Sequence, residues 1–188
     1  MDIMKIPNGK SGDWEVDEFE ITKEDVALHN IRASFKPGCR IIYPGKFKRL
    51  TRNGHVIMSN TNSELRDHKW FVYQAKGNVL INGLGLGCVL SEIIIKDEVK
   101  SVTVIEKSQD VINLVAPFFK DNPKVTIIHA DAFELKPPKG VRYNAIWHDI
   151  WDDLCADNLT EMTKLHRKYG RRTDYQDSWG KELCKRYR

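Results

Sequence analysis

The chain has 188 residues, enough for one ordinary domain with appendages and too few for two of full size. Its 41% hydrophobic and 30% charged residues are those of a globular protein, which excludes the disordered and fibrous classes. The net charge of +4 is mild, but between residues 164 and 188 nine Lys or Arg face only Asp174, Asp177 and Glu182, so the basic character is concentrated at one end.

The first stretch, residues 1 to about 38, lacks a basic region followed by an apolar one, so no secretory signal is read there. Apolar runs such as 89–95 stop well short of the ~18 residues of a membrane span, and a cytoplasmic protein with no membrane partner is expected. Asp13, Glu15, Asp17, Glu18 and Glu20 alternate with Trp14, Val16, Phe19 and Ile21, the pattern of an exposed strand. Two β-type runs follow, at 40–43 and 55–59, and Asn53-Gly54 between them is a hairpin signal because both residues tolerate positive φ. Thr61 to Glu64 opens a helix with Leu65, His68, Phe71, Val72 and Ala75 on one face, ended by Gly77.

From there strands and helices alternate: strand 79–82, helix 88–95, strand 102–106, helix 110–119, strand 125–129 and strand 143–149. Such alternation predicts an α/β, Rossmann-like parallel sheet with helices on both faces, preceded by a small N-terminal β-hairpin element. Residues 158–169 form an amphipathic helix with Leu159, Met162 and Leu165 on one side. The expected organisation is a β-rich extension over 1–60, a nucleotide-binding domain over 61–155 and a basic helical tail over 156–188. Four strands in the order 3-2-1-4 would leave the fourth as an unpaired edge, and self-association into a homo-oligomer is expected on that ground. Cys39, Cys88, Cys155 and Cys184 are far apart in sequence, without metal-ligand spacing, and are read as reduced thiols.

Four features fall at the carboxyl ends of successive strands, where ligands bind in open α/β sheets. Gly83, Gly85 and Gly87 let a turn bend sharply and a ligand approach the backbone, although the same residues also suit a plain flexible turn. The dinucleotide pattern G-x-G-x-x-G would need glycine where Cys88 stands, and no Gly-Lys-Ser/Thr follows, so a P-loop is excluded. Glu106, followed by Lys107, ends the second strand about twenty residues on, placed to accept hydrogen bonds from two ribose hydroxyls. Asp131, Ala132 and Phe133 follow the third strand, where the carboxylate suits an adenine amino group and the ring an apolar wall. Asp149 and His148 end the fourth; a regular strand sends neighbours to opposite faces, so only one of the two can enter a given pocket. Asp149 also suits a helix N-cap, and Asp152 and Asp153 beside it suit either a cationic substrate or a solvated helix start.

The runs VLINGLGLG, VTVIEK, HADAF and YNAIWHDIWDD resemble the successive motifs of class I S-adenosylmethionine-dependent methyltransferases, and within them the spermidine synthase branch. There, as here, a hairpin and helix (RNGHVIMSNTNSELRDHKWF) introduce the first Rossmann strand. The resemblance spans roughly residues 40–153. It implies S-adenosylmethionine as cofactor, with Asn82, Gly83, Gly85 and Gly87 near its amino-acid tail, Glu106 and Lys107 at the ribose, and Asp131, Ala132 and Phe133 at the adenine. Asp149 would be the base or orienting group for an unknown acceptor, with His148 as the second candidate. Two departures stand beside it. Spermidine synthases carry a Gly-Gly-Gly-Asp-Gly type loop, whose acidic residue is missing here, and their later strands and polyamine-binding residues lie beyond this sequence.

The expected function is therefore an S-adenosylmethionine-dependent methyltransferase-like transferase. The alternatives are aminopropyl transfer, and a non-catalytic ligand-binding or structural module. The tail interleaves Arg and Lys with Tyr169, Tyr175, Trp179 and Tyr187, and nucleic acid is a second possible partner through it.

Overall fold

The structure is a computed structural model that describes residues 1–35 and 41–186; Cys39, Arg40, Tyr187 and Arg188 lie outside the described residues. Its first part contains β1 (Gly9–Ser11), β2 (Trp14–Ile21), α1 (Lys23–Ser34), β3 (Gly45–Arg52) and β4 (His55–Ser59). The strands form one antiparallel sheet in the order β1-β2-β3-β4.

The alternating acidic run is β2, as expected. Helix α1 is an addition to the expected elements, although its capping box is legible in the sequence: the Asp25 N–H donates to Thr22 Oγ1 (3.1 Å) and the Thr22 N–H to Asp25 Oδ2 (2.9 Å). The Asn-Gly turn is present, with φ of 50° at Asn53 and 79° at Gly54, as a type I′ hairpin requires. The strand preceding it is 45–52, however, and Ile41 to Tyr43 are not in a strand. β3 is paired on both sides and carries Lys46, Lys48 and Arg49 opposite Glu20, Glu18 and Asp17, so its charged residues sit in cross-strand pairs rather than in a loop. Arg49 holds Asp17 bidentately, Nε to Oδ1 at 2.7 Å and Nη2 to Oδ2 at 2.8 Å.

The second part continues with α2 (Asn62–Asp67), α3 (Lys69–Gln74), β5 (Gly77–Asn82), α4 (Cys88–Ile93), β6 (Val99–Glu106), α5 (Gln109–Val115), β7 (Val125–His129), β8 (Tyr143–His148), α6 (Asn158–Tyr169), β9 (Thr173–Ser178) and α7 (Lys181–Arg186). The helix expected as one piece from Thr61 is two, broken at His68, whose φ of −105° and ψ of 2° leave the helical region. The parallel sheet runs β7-β6-β5-β8-β9. Its central strands are apolar on both faces because helices cover both. Val79, Ile81, Val102, Val104, Ala145 and Trp147 pack with Phe71 of α3, Leu90 of α4 and Val111 of α5. Leu80, Ile105 and Ile146 pack on the other side with Leu165 and Tyr169 of α6. No described helix is long and apolar enough to cross a membrane.

The segment expected to be a helical tail contributes β9, which pairs in parallel with β8 from Tyr143↔Thr173 to His148↔Ser178. The fourth strand is therefore not an edge, and the ground for self-association drawn from it falls away. The three described tail aromatics also point inward: Tyr169 is buried, Tyr175 stacks on Phe71 at 6.3 Å, and Trp179 packs against the core. The antiparallel sheet is anchored to the parallel half through Val16 and Leu50, which enter the same core, and through Ser11 Oγ, which donates to Asp110 Oδ1 at 2.7 Å. That docking carries the β3–β4 hairpin over the carboxyl ends of the parallel strands, with Met58 of β4 against Gly85.

Candidate functional site

The turn after β5 has three glycines with three different roles. Gly83, at φ +99°, donates its N–H to the Ile105 carbonyl (2.8 Å), and a β-carbon there would lie 1.8 Å from the Asp149 carbonyl oxygen. Gly85, at φ +50°, faces Met58, whose sulfur would stand 2.7 Å from an added β-carbon and accepts the Leu86 N–H at 3.3 Å. Gly87, at φ +72°, starts α4 against the Phe119 ring, 2.6 Å from an added β-carbon, so it serves helix packing rather than a ligand.

Glu106 reaches back across this turn. One oxygen accepts the Leu84 N–H and the other the Ser108 N–H, each at 2.7 Å, which locks the carboxylate in place. A carboxylate oxygen has two lone pairs, so each retains one for a ligand hydroxyl. Asp131 accepts the Phe133 N–H (2.7 Å) through Oδ1 and pairs through Oδ2 with Lys107 Nζ (2.8 Å). The Lys107 hydrogen bond foremost, helped by the Phe133 N–H and working against partial burial, holds the Asp131 carboxyl below the usual range.

Beyond β8 the chain sends neighbouring side chains to opposite faces. His148 is fully buried under α6, where Asn82 Nδ2 donates to its Nδ1 (2.7 Å) and Nε2 meets Gln176 Oε1 (3.2 Å). This pairing fixes the Nε2–H tautomer. Burial pushes His148 down to about 3, so it is neutral and cannot serve as a base at the ligand side. Asp149 goes the other way. Burial raises its carboxyl to about 6, against the lowering effect of Trp147 Nε1, which lies 3.3 Å from Oδ2. It does not cap a helix, since residues 150–157 are irregular and α6 starts at Asn158.

These groups surround one cavity of about 440 Å³. Of the sequence-predicted ligand residues, Gly83, Gly85, Glu106, Lys107, Asp131, Ala132, Phe133 and Asp149 line it. Three do not: Gly87 packs on Phe119, while Asn82 and His148 pair with each other on the far face of the sheet. Asn82 contributes instead through its backbone, its carbonyl accepting the Asp149 N–H at 2.8 Å.

Sequence reasoning missed the opposite wall. Trp14, Arg52 and Met58 come from the antiparallel sheet, Glu64 from α2 and His68 from the break between α2 and α3. Arg52 lies over the Trp14 ring (5.3 Å to its centroid) and pairs with Asp152 at 2.5 Å, tying the hairpin to the segment after β8. Trp151, Trp179 and Glu161 complete that side, with Trp151 Nε1 donating to Glu161 Oε2 at 2.7 Å. Among these, Asp152 was legible from its place after β8 and Trp151 is its neighbour in sequence; the others arrive by long-range packing.

No protein-family profile and no curated protein matches the chain. Among solved structures it is similar to the spermidine synthase from Thermotoga maritima, 17% identical, over 89% of this chain and 52% of that one, with a TM-score of 0.52. It is also similar to a dimethyladenosine transferase from Plasmodium falciparum (16% identity, 58% and 37% of the two chains, TM-score 0.44). A third is the CcbJ methyltransferase from Streptomyces caelestis (18% identity, 58% and 45%, TM-score 0.46). The chain spans about half the length of these structures, or less. The likeness to the Thermotoga maritima spermidine synthase is one of fold, the parallel α/β sheet of the class I methyltransferase-like type.

Proposed function

We propose that this chain binds S-adenosylmethionine and transfers a group from it, most simply a methyl group, to an acceptor held between the parallel sheet and the N-terminal hairpin. One observation carries the reading: four strand ends bring the glycine turn, a locked Glu106, the Asp131–Phe133 segment and Asp149 around one cavity. Its size is in the range of small-molecule sites, and its polar groups are few and convergent. Glu106 is fixed by two backbone donors and keeps lone pairs for the ribose hydroxyls. Phe133 and Ala132 supply the apolar wall for the base, and Asp131 an acceptor for its amino group.

When bound, S-adenosylmethionine supplies a carbon already activated by its attachment to a cationic sulfur. What remains for the chain itself is to align the acceptor and remove its proton. Asp149 suits that role, because a carboxylate at about 6 is mostly ionised at neutral pH, yet basic enough to take a proton from a correctly placed amine or hydroxyl.

A second reading, aminopropyl transfer to a cationic amine, is favoured by the far wall. Trp14, Trp151 and Trp179 stand there with Glu64 and Glu161, a set that suits a positive charge, while Asp152 is already paired with Arg52. Calorimetry with S-adenosylmethionine, its decarboxylated form and S-adenosylhomocysteine tests both readings. Binding of either sulfonium, lost in Glu106→Ala, is expected. Failure of all three ligands to bind would remove the transferase reading and leave a structural module.

A further inference from the structure

The rim opposite the cavity carries a feature of another kind. Arg142 immediately precedes β8, Arg171 and Arg172 precede β9, and Tyr143 and Thr173 are register partners, so the three arginines meet at the amino ends of two adjacent strands. Arg167 and Lys168, from the last turn of α6, join them around a concave surface of about 520 Å³, completed by residues 140–141. Five of its seven lining residues are thus cationic.

Three of the cations are tied in place. Arg142 donates to the Arg171 carbonyl (2.8 Å) and pairs with Asp174 (2.9 Å); Arg172 donates to the Pro138 carbonyl (3.0 Å). Lys168 Nζ donates to the carbonyls of Ala132 (2.8 Å) and Phe133 (2.9 Å). These bonds set the walls of the cleft. Arg167 and Arg171 are exposed, and among the described residues no acceptor holds their guanidinium groups. Cations in the last turn of a helix complement its dipole, which accounts for Arg167 and Lys168 but not for the three arginines outside the helix.

We propose that this cleft docks the phosphate backbone of duplex nucleic acid. Guanidinium groups match phosphate oxygens in bidentate geometry, and a row of fixed cations beside two free ones suits a polyanion with regularly spaced charges. The surface is concave, and none of the large exposed apolar side chains lies on it, which disfavours a lipid surface. Among the described residues it also offers no aromatic platform for splayed bases, since Tyr169 is buried in the core. The cleft lies at the amino ends of the strands and the cavity at their carboxyl ends, and Lys168 links the two through the carbonyls of the cavity-lining Ala132 and Phe133. The proposal does not depend on the transferase reading.

The test is fluorescence anisotropy of a labelled short duplex, as RNA and as DNA, with the full chain across a salt series. Wild type is expected to bind with log affinity falling linearly with log salt, and Arg167→Glu/Arg171→Glu to lower affinity by about tenfold or more at low salt and to cut the slope by about 2. Arg167→Gln/Arg171→Gln serves the same purpose if the charge reversal disturbs folding. Lys23→Glu/Lys46→Glu, an equal change of net charge on α1 and β3, is expected to leave the slope within experimental error. An equal loss in that control, salt-independent binding, or binding to vesicles of phosphatidylserine in preference to either duplex would overturn the proposal.

Discussion

The carbonyl oxygen of Asp149 stands 1.8 Å from the point where a β-carbon on Gly83 would be, so the two strand ends that frame the cavity touch through a residue with no side chain. The contact is backbone on both sides and cannot be relieved by a rotamer change, and Gly83 also sits at φ +99°. Gly83→Ala is expected to cost about 2–4 kcal/mol and to displace Asp149. Urea denaturation measures the first effect. A loss of less than about 0.5 kcal/mol would mean that the turn relaxes freely.

Glu106 is both a brace for the glycine turn and the proposed ribose acceptor. Glu106→Gln keeps one acceptor oxygen but loses the charge, and is expected to weaken S-adenosylmethionine binding by about 10- to 100-fold, or ~1.4–2.7 kcal/mol. Titration calorimetry checks this, and unchanged affinity would place the ribose elsewhere.

Asp149 makes a paired expectation in activity and stability. With a carboxyl at about 6, turnover should fall below that pH, and Asp149→Asn should lower kcat by at least about 100-fold while leaving cofactor affinity intact. The native state favours the protonated form, so ionisation works against folding as pH rises from about 4 through 6. At pH 7 Asp149→Asn is therefore expected to stabilise the protein by about 2–3 kcal/mol, a gain that disappears as the pH is lowered toward 4. A variant equally active, or destabilised at pH 7, would contradict the assignment.

His148 and His166 have the opposite sign. Burial holds them down to about 3 and about 4, so the unfolded chain binds protons that the native state refuses. Their contribution is intact above pH 6.5 and is lost as the pH falls toward those values; His148 alone accounts for about 1.4 kcal/mol per pH unit. Denaturation midpoints at pH 7 and pH 5 should show the loss, and His148→Gln should flatten it. An unchanged slope in that variant would mean that His148 is accessible to protons in the native state.

What was legible in the sequence follows from where each residue packs. The strands at 79–82, 102–106 and 143–149 read correctly because central parallel strands are apolar on both faces, and the amphipathic helix at 158–169 because only one of its faces is covered. β9, with sequence TDYQDS, has a neighbour on one side only; its half-buried polar residues hid it within a basic stretch. Helix α1 leaves Leu28 and Ile31 exposed, so it has no apolar stripe to read and only its Thr22–Asp25 cap betrays it. The nucleotide half of the cavity was visible because its residues follow strand ends directly. Trp14, Arg52 and Met58 were not, because they reach the cavity through the docking of a separate sheet, which local pattern does not encode.

The closing of the parallel sheet by β9 has a consequence for biosynthesis. The chain must complete β8, cross through α6 and only then supply residues 173–178, so a nascent chain halted before Thr173 presents β8 as a bare strand with its hydrogen-bonding groups unmet. Trp179, which lines the cavity, follows later still. During synthesis the bare edge of β8 is thus a surface that chaperones or a second nascent chain can meet, and the addition of residues 173–178 moves the unpaired edge from the apolar β8 to the polar β9.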